Sequence, residues 1–393
     1  MPSTMKSLAL LVTLLSTAAA YAQTEATEAA SSPVARVYVT RPTHIDVFNV
    51  SSAGKLTAVP GSPFSNIDLS HISINQKFLF GASDDGTHIL TYSISANGAL
   101  KQVASIDADK YCGEDESCYT ACGPVGPTQL DHTGVTLYNY QGDCDDTPWT
   151  QSFKIDANGS LVFLNRVPTT EDLSESETVF LGNNEYAYSF GSSYDDPGTE
   201  SFIYKRDSDG TLNEVGSTVT FPKPKNAGDV YNNDPVAATD STNHLVLPIY
   251  EVNPNTSDDA GPYGLVSFTA DSEGNLKTTN TLSEMPEPEL GGELATMSIS
   301  PSGKLLAVGA GALNTKGFQV FHFNGASPVT KYTGVLHSSE YFLEFGWDKA
   351  NHLFALSSSA LHIYDATPTS IKEVSGSPIS IPEASSVIVQ SLQ

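Results

Sequence analysis

Adjacent carboxylates recur in four turn-like stretches of the sequence, and their chemistry suits a cation site. The residues are Asp84 and Asp85; Asp143, Asp145 and Asp146; Asp195 and Asp196; and Asp258 and Asp259. Ca²⁺ binds hard oxygen ligands of this kind, so one hypothesis is an acidic rim that holds Ca²⁺, although no stretch has the spacing of an EF-hand loop. Asp and Gly are also ordinary turn residues, and this second interpretation is the one we favour.

Motifs for other common chemistries are absent from the sequence. It contains no Gly-x-Ser-x-Gly elbow, no Gly-rich phosphate loop and no His-Glu-x-x-His pair. Several histidines instead occupy the first positions of predicted strands, where a satisfied or exposed histidine is the usual outcome: His44, His88, His244, His352 and His362. Motifs alone therefore assign no catalytic group and no organic cofactor.

The cysteines are grouped in one part of the chain. They lie in or just after a predicted insertion at residues 108–124, and they are Cys112, Cys118, Cys122 and Cys144. In an oxidising compartment an even number predicts two disulfides, whose connectivity the sequence leaves open. A zinc site would favour closer thiolate pairs with histidine partners. Sequons at Asn49, Asn158 and Asn255 predict glycosylation, and each is also compatible with an unmodified turn.

The N-terminus has the form of a secretory signal peptide. Lys6 precedes the apolar run Leu8–Leu15, which is too short to span a bilayer, and Ala20-Tyr-Ala22 supplies a small-residue cleavage site. We expect a signal peptide at 1–22, a disordered leader at 23–33 and one folded domain at 34–393. The protein is therefore expected to be secreted, either into the extracellular medium or to the cell wall.

The charge of the chain limits its partners. The formal net charge is −26, from 19 basic and 45 acidic residues. Such a surface repels nucleic acid and anionic membranes. We expect a monomer whose partner is a small molecule, a glycan or an extracellular protein.

A unit of four short strands is repeated along the chain. The clearest copy spans Leu294–Leu336, where alternating apolar segments are separated by turns. Alternating aromatic strands mark the seven copies, at residues 44–50, 88–94, 150–155, 201–206, 264–270, 318–323 and 361–366. A glycine turn follows the first six of these strands, at Gly54, Gly98, Gly159, Gly210, Gly274 and Gly325.

These repeats predict an all-β, seven-bladed β-propeller with four-stranded blades. One unit alone buries too little apolar surface and leaves two edges exposed, whereas radial repetition covers both. A tandem of small sandwiches would need Greek-key crossovers instead. The first unit begins directly at Arg36 and lacks an innermost strand, while a spare apolar segment, Ser386–Val389, lies near the C-terminus. We therefore predict that the C-terminal strand joins the N-terminal blade and closes the ring.

The repeat motifs resemble those of a known protein family. Val37-Tyr-Val-Thr40, the Asp/Asn-Gly-x-Leu hairpins, Gly61-Ser-Pro-Phe64 and Gly376-Ser-Pro-Ile379 are similar to repeats of the seven-bladed lactonase-like propellers. That family includes 6-phosphogluconolactonases, fungal 3-carboxymuconate cyclases and secreted glycoproteins that carry the cyclase name. The resemblance covers essentially the whole mature chain, and its motifs are more specific for the fold than for an activity.

The resemblance also implies a catalytic His, Arg and Glu. Glu251, in the segment Leu247–Asn253, matches the glutamate. Val125 or Thr128, depending on register, stands at the histidine position, and Val236 stands at the arginine position. None of these replacements carries a charge or moves a proton, so Glu251 is the one catalytic candidate that the resemblance leaves.

Three functional hypotheses follow. The first is a carboxymuconate cyclase (an isomerase) or lactonase, as the resemblance implies. The second is a non-catalytic extracellular or cell-wall glycoprotein, such as an adhesin or a glycan- or cation-binding module, and the missing His and Arg favour it. The third is a metal-assisted lactone hydrolase that uses Ca²⁺ on the acidic rim. Convergence of Arg41 or His71 on Glu251 would restore the catalytic hypothesis.

Overall fold

Short β-strands make up nearly all of the regular structure. The computed structural model describes residues 32–83, 85–111, 125–142, 148–169, 178–192, 198–234, 236–255, 263–291, 294–310 and 317–392. The helical segments among these residues are two 3₁₀ turns, Asp109–Tyr111 and Leu282–Glu284. No helix in this part of the chain is long and apolar enough to cross a membrane.

The strands follow one another closely along the chain. The first three sheets use β1 (Ala35–Arg41), β2 (His44–Val50), β3 (Leu56–Ala58), β4 (Phe64–Ser65), β5 (Leu69–Ile74), β6 (Phe78–Ser83), β7 (His88–Ile94), β8 (Leu100–Asp107), β9 (Val125–Leu130), β10 (Thr136–Gln141), β11 (Trp149–Ile155) and β12 (Leu161–Pro168). The next two use β13 (Val179–Phe180), β14 (Tyr186–Ser192), β15 (Thr199–Arg206), β16 (Leu212–Glu214), β17 (Val219–Thr220), β18 (Val230–Asn233), β19 (Ala238–Thr239), β20 (His244–Val252), β21 (Gly264–Ala270) and β22 (Leu276–Lys277). The remainder are β23 (Leu294–Ile299), β24 (Leu305–Ala310), β25 (Phe318–His322), β26 (Thr330–Lys331), β27 (Phe342–Trp347), β28 (His352–Ser357), β29 (Ala360–Thr367), β30 (Ser370–Glu373), β31 (Ile379–Ser380) and β32 (Ser386–Ser391).

These strands form seven sheets, which confirms the predicted all-β, seven-bladed propeller. From the innermost strand outwards, blade 1 is β32-β1-β2-β3, and blades 2, 3 and 4 are β5 to β8, β9 to β12 and β13 to β16. In blade 5 the innermost position is shared by β18 and β19, which both pair with β20, and β21 and β22 follow. Blades 6 and 7 are β23 to β26 and β27 to β30. Three short strands lie outside this plan, since β4, β17 and β31 pair with β2, β22 and β29.

The glycine turns have one recurring geometry. In the first, Ser51 N donates to Lys55 O at 3.0 Å, Gly54 N donates to Ser51 O at 2.9 Å, and Gly54 has φ +75°. This is a type I turn followed by a left-handed residue, a hairpin geometry that glycine adopts without strain. The same bonding pattern recurs at Gly98, Gly159, Gly210 and Gly274.

Each of these turns also touches the preceding blade. A Cβ on Gly210 of blade 4 would lie 2.4 Å from Thr136 Oγ1 of blade 3. In the same place Tyr138 OH donates to Gly210 O at 2.8 Å. One blade further on, Tyr188 OH donates to Gly274 O at 3.0 Å. The glycines therefore set both the turn and the close approach of one blade to the next.

The hydrophobic core consists of seven clusters, each between two adjacent blades. In β1, for example, Val37 and Val39 pack in one cluster with Leu361 of blade 7. The intervening Tyr38 packs in another cluster with Leu79 of blade 2. Alternate residues of a strand point to opposite faces, so each blade is buried on both faces and the sequence places apolar residues on both.

The chain termini close the ring as predicted. β32 pairs with β1 in antiparallel register, from Thr40 opposite Ser386 to Ala35 opposite Ser391. Gln390 of β32 accepts from Tyr38 OH at 3.3 Å and donates through Nε2 to Asn75 O of blade 2 at 2.9 Å. The C-terminal strand is thus bonded both to blade 1 and to its neighbour.

Removing the closing strand should destabilise the whole ring. Deletion of residues 386–393 exposes the inner edge of blade 1, and we expect the cooperative thermal transition to be lost or strongly lowered. A milder test is Val387→Asp, because Val387 is 2% exposed and the charge would be buried. This variant should lose roughly 3 kcal/mol of unfolding free energy in urea titrations.

Val162→Asp is the matched control, because Val162 is 46% exposed. It should change the unfolding free energy by no more than about 0.5 kcal/mol. Equal losses in the two variants would mean that β32 does not hold the ring together.

Candidate functional site

The innermost strands enclose a cavity of about 330 Å³ at the centre of the ring. Six of the seven blades contribute to its wall. Polar lining residues include His71, Thr128, Thr296, Tyr341, Glu344, Ser385 and Ser386, and the apolar ones are Ile72, Pro127, Val236, Ala295, Met297, Leu343 and Phe345. The volume is that of a site for a small molecule.

Strand irregularities bring side chains into this cavity. The pairing of β5 with β6 shifts register between Ser70 and Ser73, and His71 within this bulge has φ +48°. The pairing of β27 with β28 shifts in the same way between Phe342 and Glu344. A bulge redirects side chains from their regular alternation and is often found beside functional sites. His71 and Glu344 both reach the cavity at such positions.

His71 is the basic group of the cavity. It is solvent-accessible, yet protein atoms surround it on most sides, and this burial lowers the pKa of the imidazole below its usual value. Its backbone carbonyl accepts from Thr128 Oγ1 at 2.6 Å, and Thr128 Oγ1 in turn accepts from Ser73 Oγ at 3.2 Å. The neutral imidazole is favoured at neutral pH, which is the form that can remove a proton.

Glu344 is the acidic group, and it is tied to the closing strand. Its Oε2 accepts from Ser386 Oγ and from Val387 N, each at 2.6 Å. Two hydrogen bonds to one oxygen hold the carboxylate at the cavity wall. The same contacts join blade 7 to the strand that completes blade 1.

The described residues of the cavity wall carry no permanent positive charge. Of the described residues that line it, none is Arg or Lys. Thr128 and Val236, which stand where the resemblance implies a catalytic His or Arg, both lie in this wall. Two of the positions that the resemblance marks therefore lie in the cavity wall, and their neutral side chains cannot supply the cations that bind and polarise an anionic substrate.

Glu251 lies at a different position. It is 3% exposed on β20, and its Oε1 accepts from Lys225 N at 2.7 Å and from Tyr231 OH at 3.3 Å. It is not among the residues that line the cavity. Arg41 pairs with Asp46 at 3.3 Å, and His71 faces the cavity, so neither of these has a contact with Glu251 in the described structure. The catalytic role of Glu251 stays a prediction.

Few of the other predicted residues lie in the described structure. Asp85 Oδ1 accepts from Ser83 Oγ at 2.5 Å and from Thr87 N at 3.1 Å, as an ordinary turn residue does. The sequons at Asn158 and Asn255 are exposed, whereas Asn49 is half-buried and accepts from Arg36 Nε at 3.2 Å. The remaining predicted residues lie outside the described structure, namely Asp84, Asp143, Asp145, Asp146, Asp195, Asp196, Asp258, Asp259, Cys112, Cys118, Cys122 and Cys144.

Sequence reasoning missed Glu344. One signal was available, because an acidic residue interrupts the otherwise apolar segment Tyr341–Trp347. A charge in a strand that is buried on both faces needs a specific partner or a cavity. His71 had no comparable signal, since its inward direction depends on the bulge.

The lowered pKa of His71 has a consequence for stability. The folded protein holds the His71 proton more weakly than the unfolded chain, so acidification below the usual value of 6.5 favours unfolding. His71→Asn, whose side chain tolerates the left-handed backbone, removes this contribution. We expect wild type to lose more unfolding free energy than His71→Asn between pH 7.5 and pH 5, as measured by urea denaturation.

His44→Gln, at the start of β2, is the control for the loss of a histidine elsewhere. It measures how much a histidine substitution away from the cavity alters the pH dependence. An identical pH dependence of wild type and His71→Asn would contradict a lowered pKa at this residue.

Comparisons with known proteins reveal similarity at the level of structure. No protein-family model matches the sequence, and no curated protein matches it. Among solved structures, a periplasmic gluconolactonase from Pseudomonas aeruginosa aligns with a TM-score of 0.62 and 13% identity, over 91% of this chain and 99% of that one. A candidate 6-phosphogluconolactonase from Bacteroides fragilis gives a TM-score of 0.60 and 12% identity, over 91% and 98%.

A third match is to a protein described differently. A hypothetical selenium-binding protein from Sulfolobus tokodaii aligns with a TM-score of 0.58 and 10% identity, over 93% of this chain and 96% of that one. At these identities the alignments establish a shared fold, and one fold serves unrelated functions. The chain therefore has the propeller fold of the gluconolactonase-like structures.

Proposed function

We propose that this chain binds a small uncharged polyhydroxy compound, of the sugar-lactone class, in the central cavity. One observation carries this proposal. The cavity wall combines the His71 imidazole, the Glu344 carboxylate and several hydroxyls, and it includes no Arg or Lys among its described residues.

The hydrogen bonds that the cavity wall already makes favour a ligand that is rich in hydrogen-bond donors. The protons of two lining hydroxyls are already donated within the protein, from Thr128 to the His71 carbonyl and from Ser386 to Glu344. The oxygens of these two hydroxyls and the unprotonated nitrogen of a neutral His71 imidazole can accept hydrogen bonds from a ligand. A polyol or sugar lactone supplies hydroxyl donors, and burying these groups without partners would be costly.

Hydrolysis of a bound lactone is the second candidate function, and the state of His71 favours it. A neutral imidazole that is accessible inside a cavity can take a proton from water as that water attacks the lactone carbonyl. The ring C–O bond of the tetrahedral intermediate then breaks, and the imidazolium returns the proton to the leaving oxygen, which becomes a hydroxyl of the open-chain acid. This proposal places the general base on His71 and leaves Glu251 a role in holding the segment before β18. Binding without turnover remains the first proposal. Thr128 and Ser386 already donate their hydroxyl protons within the protein, so these two groups do not donate to the oxygen of a reacting carbonyl.

Anionic substrates fit the cavity less well. A muconate tricarboxylate or a phosphorylated sugar lactone would need cations at the site, and a chain of net charge −26 repels both. A Ca²⁺-assisted reaction on the acidic rim has little support, since Asp85 uses one of its oxygens to cap its own turn. Secretion to the extracellular medium or the cell wall, as a glycosylated monomer, completes the proposal.

Val236→Arg tests the charge argument directly, because it places a guanidinium where the resemblance implies an arginine. Wild type should bind gluconolactone or a non-hydrolysable polyol more tightly than 6-phosphogluconolactone in isothermal titration calorimetry. Val236→Arg should tighten the phosphorylated ligand by about 10- to 100-fold, the usual effect of a charge-assisted hydrogen bond. Val162→Arg adds the same charge to an exposed strand and should leave all affinities unchanged.

Turnover is measured on the same proteins by acid release at constant pH. His71→Asn should abolish any lactone hydrolysis while the polyol still binds. Tighter binding of the phosphorylated lactone than of the neutral one by wild type would contradict the proposed function. Equal responses of the two arginine variants would show that the ligand does not occupy the central cavity.

A further inference from the structure

A cluster of two histidines and two glutamates lies on blade 7 and on the link that leads into it. His337 and Glu340 are in the link between β26 and β27, His362 is on β29, and Glu373 ends β30. Ligand atoms of His337, Glu340 and His362 all lie within 4.8 Å of one another. The cluster shares no residue with the central cavity, and the proposed function does not use it.

The contacts within the cluster have the arrangement of a metal site. His362 Nε2 lies 3.0 Å from Glu340 Oε2, and His337 Nδ1 lies 3.4 Å from Glu340 Oε1. A tetrahedral zinc ion with bonds near 2.0 Å separates its ligand atoms by roughly 3.3 Å. Both nitrogen-to-oxygen separations are close to the edge length of such a tetrahedron, and each joins a different oxygen of the Glu340 carboxylate.

The second nitrogen of each imidazole also has a partner. His362 Nδ1 lies 3.1 Å from Glu373 Oε1, which additionally accepts from Ser377 Oγ at 2.8 Å. His337 Nε2 lies 2.5 Å from Tyr364 OH. Metal-binding histidines typically donate their other N–H to a carboxylate or another oxygen, which orients the ring towards the ion.

Burial and charge suit the same role. His362 is 1% exposed, while His337 and Glu340 are 27% and 29% exposed, so the ring is held firmly and one side of the cluster faces solvent. Glu340 adds one carboxylate to the two imidazoles, and a glutamate oxygen is a ligand that zinc accepts.

We propose that His337 Nδ1, His362 Nε2 and the Glu340 carboxylate bind one Zn²⁺ ion, with Glu373 and Tyr364 orienting the two imidazoles. Imidazole nitrogens with one carboxylate are ligands that zinc prefers, whereas Ca²⁺ and Mg²⁺ prefer oxygen ligands alone. Three protein ligands leave a fourth position on the exposed side for water or for an added ligand. The ion would join the link after blade 6 to the third strand of blade 7.

The test uses the purified full-length chain, freed of metal with a chelator. Zinc chloride titrated into it should bind at one ion per chain and raise the melting temperature, because the ion binds the folded state. His337→Gln, Glu340→Gln and His362→Gln should each weaken zinc binding by at least about 100-fold, and Glu373→Gln by about 10- to 100-fold with unchanged stoichiometry. Cobalt chloride should give the visible spectrum of nitrogen and oxygen ligands.

His244→Gln is the matched control. His244 Nδ1 lies 2.8 Å from Asp240 Oδ2, so it resembles one half of the cluster, with a single histidine and a single carboxylate. Its loss should leave zinc affinity unchanged, and excess calcium or magnesium chloride should not displace the zinc.

Three results would overturn the proposal. The first is an absence of stoichiometric zinc binding to the metal-free chain. The second is an unchanged zinc affinity in all three ligand variants. It includes the case in which these variants lower the melting temperature in chelator but respond to zinc as wild type does. The cluster would then be a hydrogen-bonded network alone. The third is a thiolate charge-transfer band with cobalt, which would assign the ion to cysteines. Where a ligand variant fails to fold, Glu373→Gln and the cobalt spectrum still decide the question.

Discussion

The antiparallel pairing of β1 with β32 is the constraint on which the rest of the structure depends. Each blade buries both of its faces, so blades 1 and 7 would each have one uncovered face if the ring were open. Pairing the two ends of the chain within one sheet makes this burial possible and satisfies the inner edge of blade 1. The contacts of Gln390 with blade 2 and of Glu344 with Val387 extend the closure to both neighbours.

The glycine turns allow adjacent blades to pack closely. The glycine turn after the third strand of most blades lies against the second strand of the preceding blade, where a side chain would collide. At Gly210 and Gly274, tyrosine hydroxyls from that blade donate to the glycine carbonyls, so these polar groups are satisfied where they are buried. The close approach of adjacent blades therefore depends on these turns as well as on the hydrophobic clusters between them.

Closure and chemistry are linked in this protein. Glu344 both lines the cavity and holds the closing strand, so the shape of the cavity depends on an intact ring. Val236 and Thr128, which stand where the resemblance implies charged groups, are neutral residues of the cavity wall. A fold alone does not determine activity, and the described wall of this cavity contains no Arg or Lys.

The sequence by itself determined the strands, the turns, the number of blades and the closure. Alternation of apolar residues and the left-handed glycine turns act over a few residues, so a short window of sequence is sufficient to recognise them. The spare apolar strand near the C-terminus and the missing strand of the first unit could be matched for the same reason.

Only the tertiary structure decided which side chains meet. His71, Thr128, Val236 and Glu344 come from four different blades, and their convergence depends on the register of every sheet around one axis. The bulge that turns His71 inwards has no local sequence signal. His362 looked like an ordinary histidine at the start of a strand, because His337 and Glu340 reach it only when the link folds over blade 7. The contact of the buried Glu251 with Tyr231 could likewise not be read from the sequence. Side-chain contacts between distant segments are set by packing, and no local pattern in the sequence records them.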